Sequence, residues 1–329
     1  MDIDTIHLAL FRGYGTSQQL FFSGRALRNA PDIAEPGASL LQNLAASFNR
    51  IESDEAPNVT VRVVYRGEVW EAVTDEDGYF YFALEPANMP PASGWQEVAV
   101  SWVDASSDRS GPPQTAYVLT PPPSAAYGVI SDIDDTILAS YIPSPARMAL
   151  ELLLKNAYTR ATFAGAPAFY RALHAGPSGA AGNPIFYVSL SPWNLYGMIE
   201  QFFAINDIPP GPLLLRDYGL HMLRSFGQPS PKARLIQDLL ESYPNLPFLL
   251  LGDSGQSDPE IYAEIAGSNP GRILAVYIRD ASAGADLARR AEVTALGADL
   301  AALGIDLLLS PNTADFAAHA RGKGWIAQG

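Results

Sequence analysis

Cysteine is absent from the 329 residues. That excludes disulfides, a thiol nucleophile and thiolate metal sites, and leaves oxygen ligands for a hard metal. Basic residues are scarce: 21 Lys and Arg stand against 35 Asp and Glu, a formal net charge of −14. A general nucleic-acid binder needs a basic face to neutralise phosphates, so that class is excluded. The same balance supplies none of the polybasic attraction that draws proteins to anionic membranes. No apolar run approaches the roughly 18 residues needed to cross a bilayer. The first fifteen residues carry Asp2 and Asp4 and lack the basic segment and apolar core of a signal peptide, so a cytoplasmic protein is expected. Apolar residues are plentiful, with 48% hydrophobic against 17% charged. That is the balance of a globular chain, and this length predicts two domains with separate cores.

Over residues 5–120, short alternating stretches at 59–65, 79–84 and 97–103 are separated by turn residues, which predicts an all-β sandwich. Thr74-Asp75-Glu76-Asp77-Gly78-Tyr79 sets a Gly-containing acidic turn before an aromatic strand, as a hairpin requires. A calcium loop is the other use for such acids, but the spacing lacks a full oxygen set. The segment resembles transthyretin-like or carboxypeptidase-regulatory-like sandwiches. Pro121-Pro122-Pro123 then forms a stiff spacer, incompatible with a central strand or a helix interior. The expected organisation is a sandwich over 1–120, a linker over 121–126 and a second domain over 127–329. In the second domain, apolar strands at 127–131, 185–188, 213–215, 248–251 and 273–278 alternate with helical stretches, and the Ala-rich stretch 281–302 reads as helix. Alternation of this kind predicts a parallel sheet in an α/β, doubly wound, Rossmann-like arrangement.

At the end of the first strand of that domain stands Asp132-Ile133-Asp134-Asp135-Thr136. Ligands of such folds bind at the carboxyl ends of strands, and crowded carboxylates are costly to ionise together unless a cation sits among them. An acidic loop alone is as readily solvated surface. A second strand, however, ends in Gly252-Asp253-Ser254-Gly255-Gln256-Ser257-Asp258, bringing two more acids to the same edge. Ser189 ends the strand at 185–188, and Lys232, one of only three lysines, opens the helix before the fourth strand.

In order, these four elements match the signature of the haloacid dehalogenase superfamily, which the chain from about residue 125 resembles. The resemblance implies Asp132 as a nucleophile that is transiently phosphorylated and Asp134 as general acid and base. It implies Lys232 as a catalytic and phosphate-binding cation, with Thr136, Ser189 and Ser191 around the phosphoryl group. Magnesium would be held by Asp132, the Asp134 backbone carbonyl, Asp253 and Asp258. An acid two positions after the nucleophile marks the phosphatases of the superfamily. Within it, Ser131-Asp132-Ile133-Asp134-Asp135-Thr136-Ile137, Tyr187-Val188-Ser189-Leu190-Ser191-Pro192-Trp193-Asn194-Leu195-Tyr196 and Leu251-Gly252-Asp253-Ser254-Gly255-Gln256-Ser257-Asp258-Pro259-Glu260-Ile261-Tyr262 resemble the catalytic domain of the actin-patch phosphatidate phosphatase family, which shares lipin-like motif logic. Ile278-Arg279-Asp280 fits as well. Pro231 before Lys232 departs from the His expected in many relatives.

The resemblance implies a phosphatidate phosphatase that releases diacylglycerol, with peripheral membrane contact. A phosphatase of a soluble phosphoester or phosphoprotein is the alternative, and a non-catalytic binding module a third reading, disfavoured by the intact acids and Lys232. Trp193 and Asn194, just after the serines, are candidate substrate contacts, although a Trp there can equally cap a helix against the sheet. The lone His221 reads as surface or packing. Neither insert, 137–184 or 190–231, has the length of a large lid, and an open site suits a bulky or surface-embedded substrate. The partner of the sandwich is not legible.

Overall fold

The computed structural model describes residues 6–28, 55–89, 91, 94–104, 109–134, 136–137, 162–216, 230–282 and 285–328. They pack as two compact units that divide between Pro121 and Pro122, inside the triple-proline spacer.

In the first unit the described residues form strands β1 (His7–Leu10), β2 (Gly13–Gly15), β3 (Leu20–Leu27), β4 (Thr60–Tyr65), β5 (Glu68–Val73), β6 (Tyr79–Leu84), β7 (Gly94–Asp104), β8 (Arg109–Ser110) and β9 (Gln114–Thr120). The main pairing path is β1-β3-β2-β9-β7-β4-β5, with β6 on β3 and β8 on β7. In β4 the burial alternates, so that Val61, Val63 and Tyr65 face inward while Arg62 and Val64 face out. Phe22, Phe80, Phe82, Val98, Val100 and Val118 join them in one core. The acidic turn is as expected from the sequence: Asp75 Oδ1 accepts from the backbone N–H of Asp77 and Tyr79, and Gly78 takes a φ of 79° that side chains rarely adopt. Those bonds occupy Asp75 in closing the hairpin.

The second unit alternates strand and helix. Strand β10 (Gly128–Ser131) is followed by α1 (Ala166–Ala175), β11 (Ile185–Pro192), α2 (Tyr196–Ile205), β12 (Leu213–Arg216), α3 (Pro231–Ser242), β13 (Phe248–Asp253), α4 (Asp258–Ser268), β14 (Ile273–Arg279), α5 (Leu287–Ala302), β15 (Asp306–Ser310) and α6 (Thr313–Gly322). Every adjacent pair is parallel, in the order β12-β11-β10-β13-β14-β15. All six residues of β13 are buried, and β10 is buried throughout, as strands covered on both faces must be. The first three strands step outward one way, and the chain then returns beside β10 and steps the other way. Such a reversal opens a crevice at the carboxyl ends of the two central strands.

The five expected strands are present with shifted ends, but the sequence reading missed β15. Its Ile-Asp-Leu-Leu-Leu run is Leu-rich and short, and as an edge strand it is half-buried, so it lacks the β-branched continuity of β10 or β14. Parts of the two inserts, residues 138–161 and 217–229, lie outside the described residues, and His221 with them.

Candidate active site

Register brings the sequence motifs to one edge. Ser131 pairs with Tyr187 of β11 on one side and Leu251 of β13 on the other. The residues that follow each of them therefore emerge together: Asp132, Ser189 and Asp253. Asp132 N–H donates to Leu251 O at 2.8 Å, which ties the first turn of the acidic loop to the neighbouring strand.

Asp132, Asp253 and Asp258 each offer a carboxylate oxygen within 4.8 Å of the others, and all three are buried. Asp258 is delivered by the N-terminus of α4, which turns back so closely that its Oδ2 accepts from Asp253 N–H at 3.3 Å. Gly252 permits this approach, since a Cβ there would lie 2.4 Å from Asp258 Oδ2 and 2.8 Å from the Tyr262 ring. Lys232, itself buried, donates from Nζ to Asp132 Oδ1 at 2.7 Å and to Asp258 Oδ1. It is the second residue of α3, a helix capped by Ser230 Oγ accepting from Ala233 N–H at 3.1 Å. Pro231, the departure noted in the sequence, occupies the first helical position, where proline's preset φ and missing N–H cost nothing.

Burial pushes the Asp132 carboxyl well above the usual carboxylate range; Lys232 pulls it down, while Asp258, Asp253 and Asp134 push it further up. For Lys232 burial favours the neutral amine, but the carboxylates of Asp132 and Asp258 outweigh it and raise Lys232 above the usual lysine range. Three carboxylates face one ammonium, and Asp132 Oδ2 is buried without a protein partner. An all-oxygen donor set with excess negative charge fits a hard divalent cation.

Beside this cluster, Asp134 carries a separate arrangement. Ser189 Oγ and Ser191 Oγ both donate to its Oδ2 at 3.0 Å, and Ser191 N–H donates to Ser189 Oγ at 2.9 Å. Ser189 and Ser191 stand two apart in β11, so the strand's alternation sets both on one face, toward one acid; the pairing with β12 is irregular between Val188 and Pro192. Asp134 Oδ1 is buried with no protein partner, as is Thr136 Oγ1. The Asp134 carboxylate is thus directed to the serines and stands outside the three-carboxylate group. Trp193 lies in a short 3-10 turn before α2, its ring 5.9 Å from Tyr196 and half-buried. The Asn194 side chain lies outside the described residues.

Two arginines support the site without having been assigned a role from the sequence, where Arg279 figured only in the Ile278-Arg279-Asp280 match and Arg289 not at all. Arg279, at the end of β14, donates from Nε to Thr136 O at 3.1 Å and from Nη2 to Thr313 Oγ1 at 2.8 Å, with its guanidinium 3.9 Å from the Phe163 ring centre. It pins the far end of the acidic loop. A buried arginine closing a strand is the signal that could have flagged it. Arg289, on α5, grips the loop after Asp253, and nothing in its Ala-rich surroundings marks it. Ser131 Oγ shares a 2.5 Å hydrogen bond with Tyr170 Oη, fixing the strand just before Asp132.

Residues 127–280 match the family model described as phosphatidate phosphatase APP1, catalytic domain. Over that segment the chain is similar to this family. Its span runs from the residue before β10 to the residue after β14 and includes every carboxylate, serine and lysine of the site. Phosphatidate phosphatase APP1 of Saccharomyces cerevisiae is 33% identical over 154 residues, 46% of this chain and 25% of that protein. An uncharacterized protein of Schizosaccharomyces pombe is 31% identical over 156 residues, again 46% of this chain and 25% of the relative. The chain thus spans about a quarter of the length of these curated relatives. A carbohydrate acetylesterase of Xanthomonas citri aligns over 93% of this chain and 68% of its own at 13% identity with a TM-score of 0.30, too slight a likeness to bear on fold or function.

Proposed function

We propose that the second unit is a magnesium-dependent phosphomonoesterase of haloacid dehalogenase, Rossmann-like fold, acting on phosphatidate through an aspartyl-phosphate formed on Asp132. The observation that carries the reading is the buried convergence of Asp132, Asp253 and Asp258 around Lys232, within a segment of the APP1 catalytic family. Asp132, Asp253, Asp258 and the Asp134 backbone carbonyl would hold the ion. When bound, magnesium supplies the positive charge that lets an anionic phosphoester approach a carboxylate.

Lys232 occupies Asp132 Oδ1 and leaves Oδ2 without a protein partner. An Asp132 oxygen attacks phosphorus in line; the bond from phosphorus to the ester oxygen breaks, and Asp134 gives its proton to the departing alkoxide. Ser189 and Ser191 both donate to Asp134 Oδ2, which leaves Oδ1, without a protein partner, as the oxygen that would pass the proton. Asp134, now ionised, takes a proton from water, which attacks phosphorus and breaks its bond to Asp132, releasing phosphate and restoring the carboxylate. Lys232, Ser189, Ser191 and the Thr136 hydroxyl offer donors for the phosphoryl oxygens as negative charge builds.

The units are read as domains, a transthyretin-like sandwich over 1–120 and a phosphatase over 127–329 joined by 121–126. The sandwich holds none of the matched motifs and contributes no catalytic group. No described helix is long and apolar enough to cross a membrane. In this reading the lipid substrate is met at the bilayer surface, from the cytoplasmic side.

The test is phosphate release from phosphatidate in mixed micelles beside glycerol phosphate and an aryl phosphate, with magnesium or with chelator, for the wild type and Asp132→Asn. The expected result is magnesium-dependent turnover that follows surface concentration of the lipid and vanishes in the variant. Activity surviving in chelator or in Asp132→Asn sinks the mechanism, and a clear preference for the soluble esters sinks the lipid assignment.

A further inference from the structure

The acidic loop that joins Asp253 to Asp258 is gripped from outside the segment that the APP1 family model covers. Arg289 stands in the first turn of α5, nine residues beyond that segment's end at 280. Its Nε donates to Ser254 O and its Nη2 to Gln256 O, each at 2.8 Å. Its other partners are carboxylates: Nη2 donates to Glu260 Oε2 at 3.0 Å, and Nη1 to Glu260 Oε1 and to Glu292 Oε2, the last at 3.1 Å. The helix end that carries it is fixed as well, because Asp286 caps α5 by accepting from Arg289 N–H at 2.9 Å.

One of the peptide units that Arg289 holds, Ser254-Gly255, also orients Asp253. Gly255 N–H donates to Asp253 Oδ1 at 2.6 Å, and Gln256 N–H to the same oxygen at 3.2 Å. The carbonyl of Ser254 and the N–H of Gly255 belong to one peptide plane. Arg289 therefore pulls on one end of that plane while the other end fixes the carboxylate, and an aligned chain of hydrogen bonds strengthens each member. The grip leaves little slack, since a Cβ on Gly255 would lie 3.0 Å from Asp253 Oδ1. With that peptide free to turn, the 2.6 Å bond to Asp253 Oδ1 would lose its fixed donor, and the carboxylate would be held less firmly toward Asp132 and Asp258.

We propose that Arg289 is a positioning residue: through the Ser254-Gly255 peptide it fixes Asp253, and it thereby sets the affinity of the three-carboxylate site for a divalent cation. The proposal rests on the metal-site reading given above. It assigns α5, beyond the matched segment, a part in the site.

A planar guanidinium can meet two carbonyls and a carboxylate at once, whereas an ammonium on a flexible stem cannot reproduce that fork. The experiment measures Mg2+ binding by titration calorimetry on the full chain for wild type, Arg289→Lys, Arg289→Ala and Glu260→Gln, with amide hydrogen exchange of residues 254–257 in chelator. Arg289→Lys and Arg289→Ala are expected to weaken Mg2+ binding about tenfold or more and to speed exchange at Gly255 and Gln256. Glu260→Gln removes the ion pair but spares both carbonyl contacts, and should bind Mg2+ within about twofold of wild type. Wild-type protein that binds no Mg2+ overturns the metal-site reading and the affinity claim with it. Wild-type binding with Arg289→Lys unchanged, or with Glu260→Gln weakened as much as Arg289→Lys, overturns the role of Arg289 alone.

Discussion

Lys232 Nζ lies 2.7 Å from Asp132 Oδ1 across 100 residues of sequence, and the same ammonium also binds Asp258. The contact couples Asp132 to the helix that follows β12, and among the described residues it supplies the one ammonium facing the three-carboxylate group. Replacing Lys232 by Met keeps the stem and removes the charge. Phosphate release should fall at least about 100-fold, because roughly 3 kcal/mol of charge stabilisation is lost. Melting temperature in chelator should drop more at pH 8 than at pH 5, where carboxylates can protonate. A variant that retains most of its turnover would remove Lys232 from the chemistry.

Cation binding and pH are linked through Asp132. Burial first, then the neighbouring acids, raise its folded-state pKa above the unfolded value of about 3.9. The group's contribution to stability is therefore complete below that value and is lost as pH rises through the raised folded pKa. Lys232, held above the ordinary lysine range, stays charged throughout. Magnesium should restore what is lost, so the gain in melting temperature on adding it should grow from pH 5 to pH 8. Thermal unfolding with magnesium and with chelator at several pH values measures this, and a gain that is flat or shrinks with pH contradicts it.

Ser189 and Ser191 make the same bond to Asp134, yet their substitution should differ in effect. Ser191→Ala removes one of two donors that orient the acid, and kcat should fall about tenfold with KM nearly unchanged, in line with roughly 1–1.5 kcal/mol for one hydrogen bond. Ser189→Ala removes a donor placed on the strand end nearest Asp132 as well, so KM should rise along with the fall in kcat. Steady-state kinetics on an aryl phosphate separates the two, and identical profiles would show that neither serine meets the phosphoryl group.

Gly252 is the contact point between β13 and the start of α4. An alanine there would place a methyl 2.4 Å from Asp258 Oδ2, and the strand end or the carboxylate must move. Gly252→Ala should destabilise the protein by about 1–3 kcal/mol, the usual range for overpacking, and weaken magnesium binding together with it. Chemical denaturation and calorimetry measure the pair; an unchanged affinity would mean that Asp258 does not serve the cation.

Much of the site was legible along the chain. Asp132 and Asp134 sit two apart at a strand end, Asp253 and Asp258 follow another strand, and a chain with three lysines places one of them at a helix start. Those are local facts, written in spacing and in the apolar runs that precede each motif. The triple proline, with no helix or central strand able to pass through it, is where the sequence places a linker. Strand β15 escaped because a half-buried edge strand rich in leucine carries neither alternation nor β-branched continuity.

By itself, then, the sequence determined which residues stand at the ends of which strands, because a period-two pattern and its breakers are properties of neighbouring residues. Tertiary structure alone decided which of those ends meet. The reversal between β10 and β13 sets Asp132 beside Asp253, the pairing of β11 with β10 brings two serines to Asp134, and α5 lays Arg289 across the peptide that holds Asp253. Each of these depends on sheet order, register and the reach of a long side chain. Such relations are fixed by how distant segments bury one another, and no local window of residues contains them.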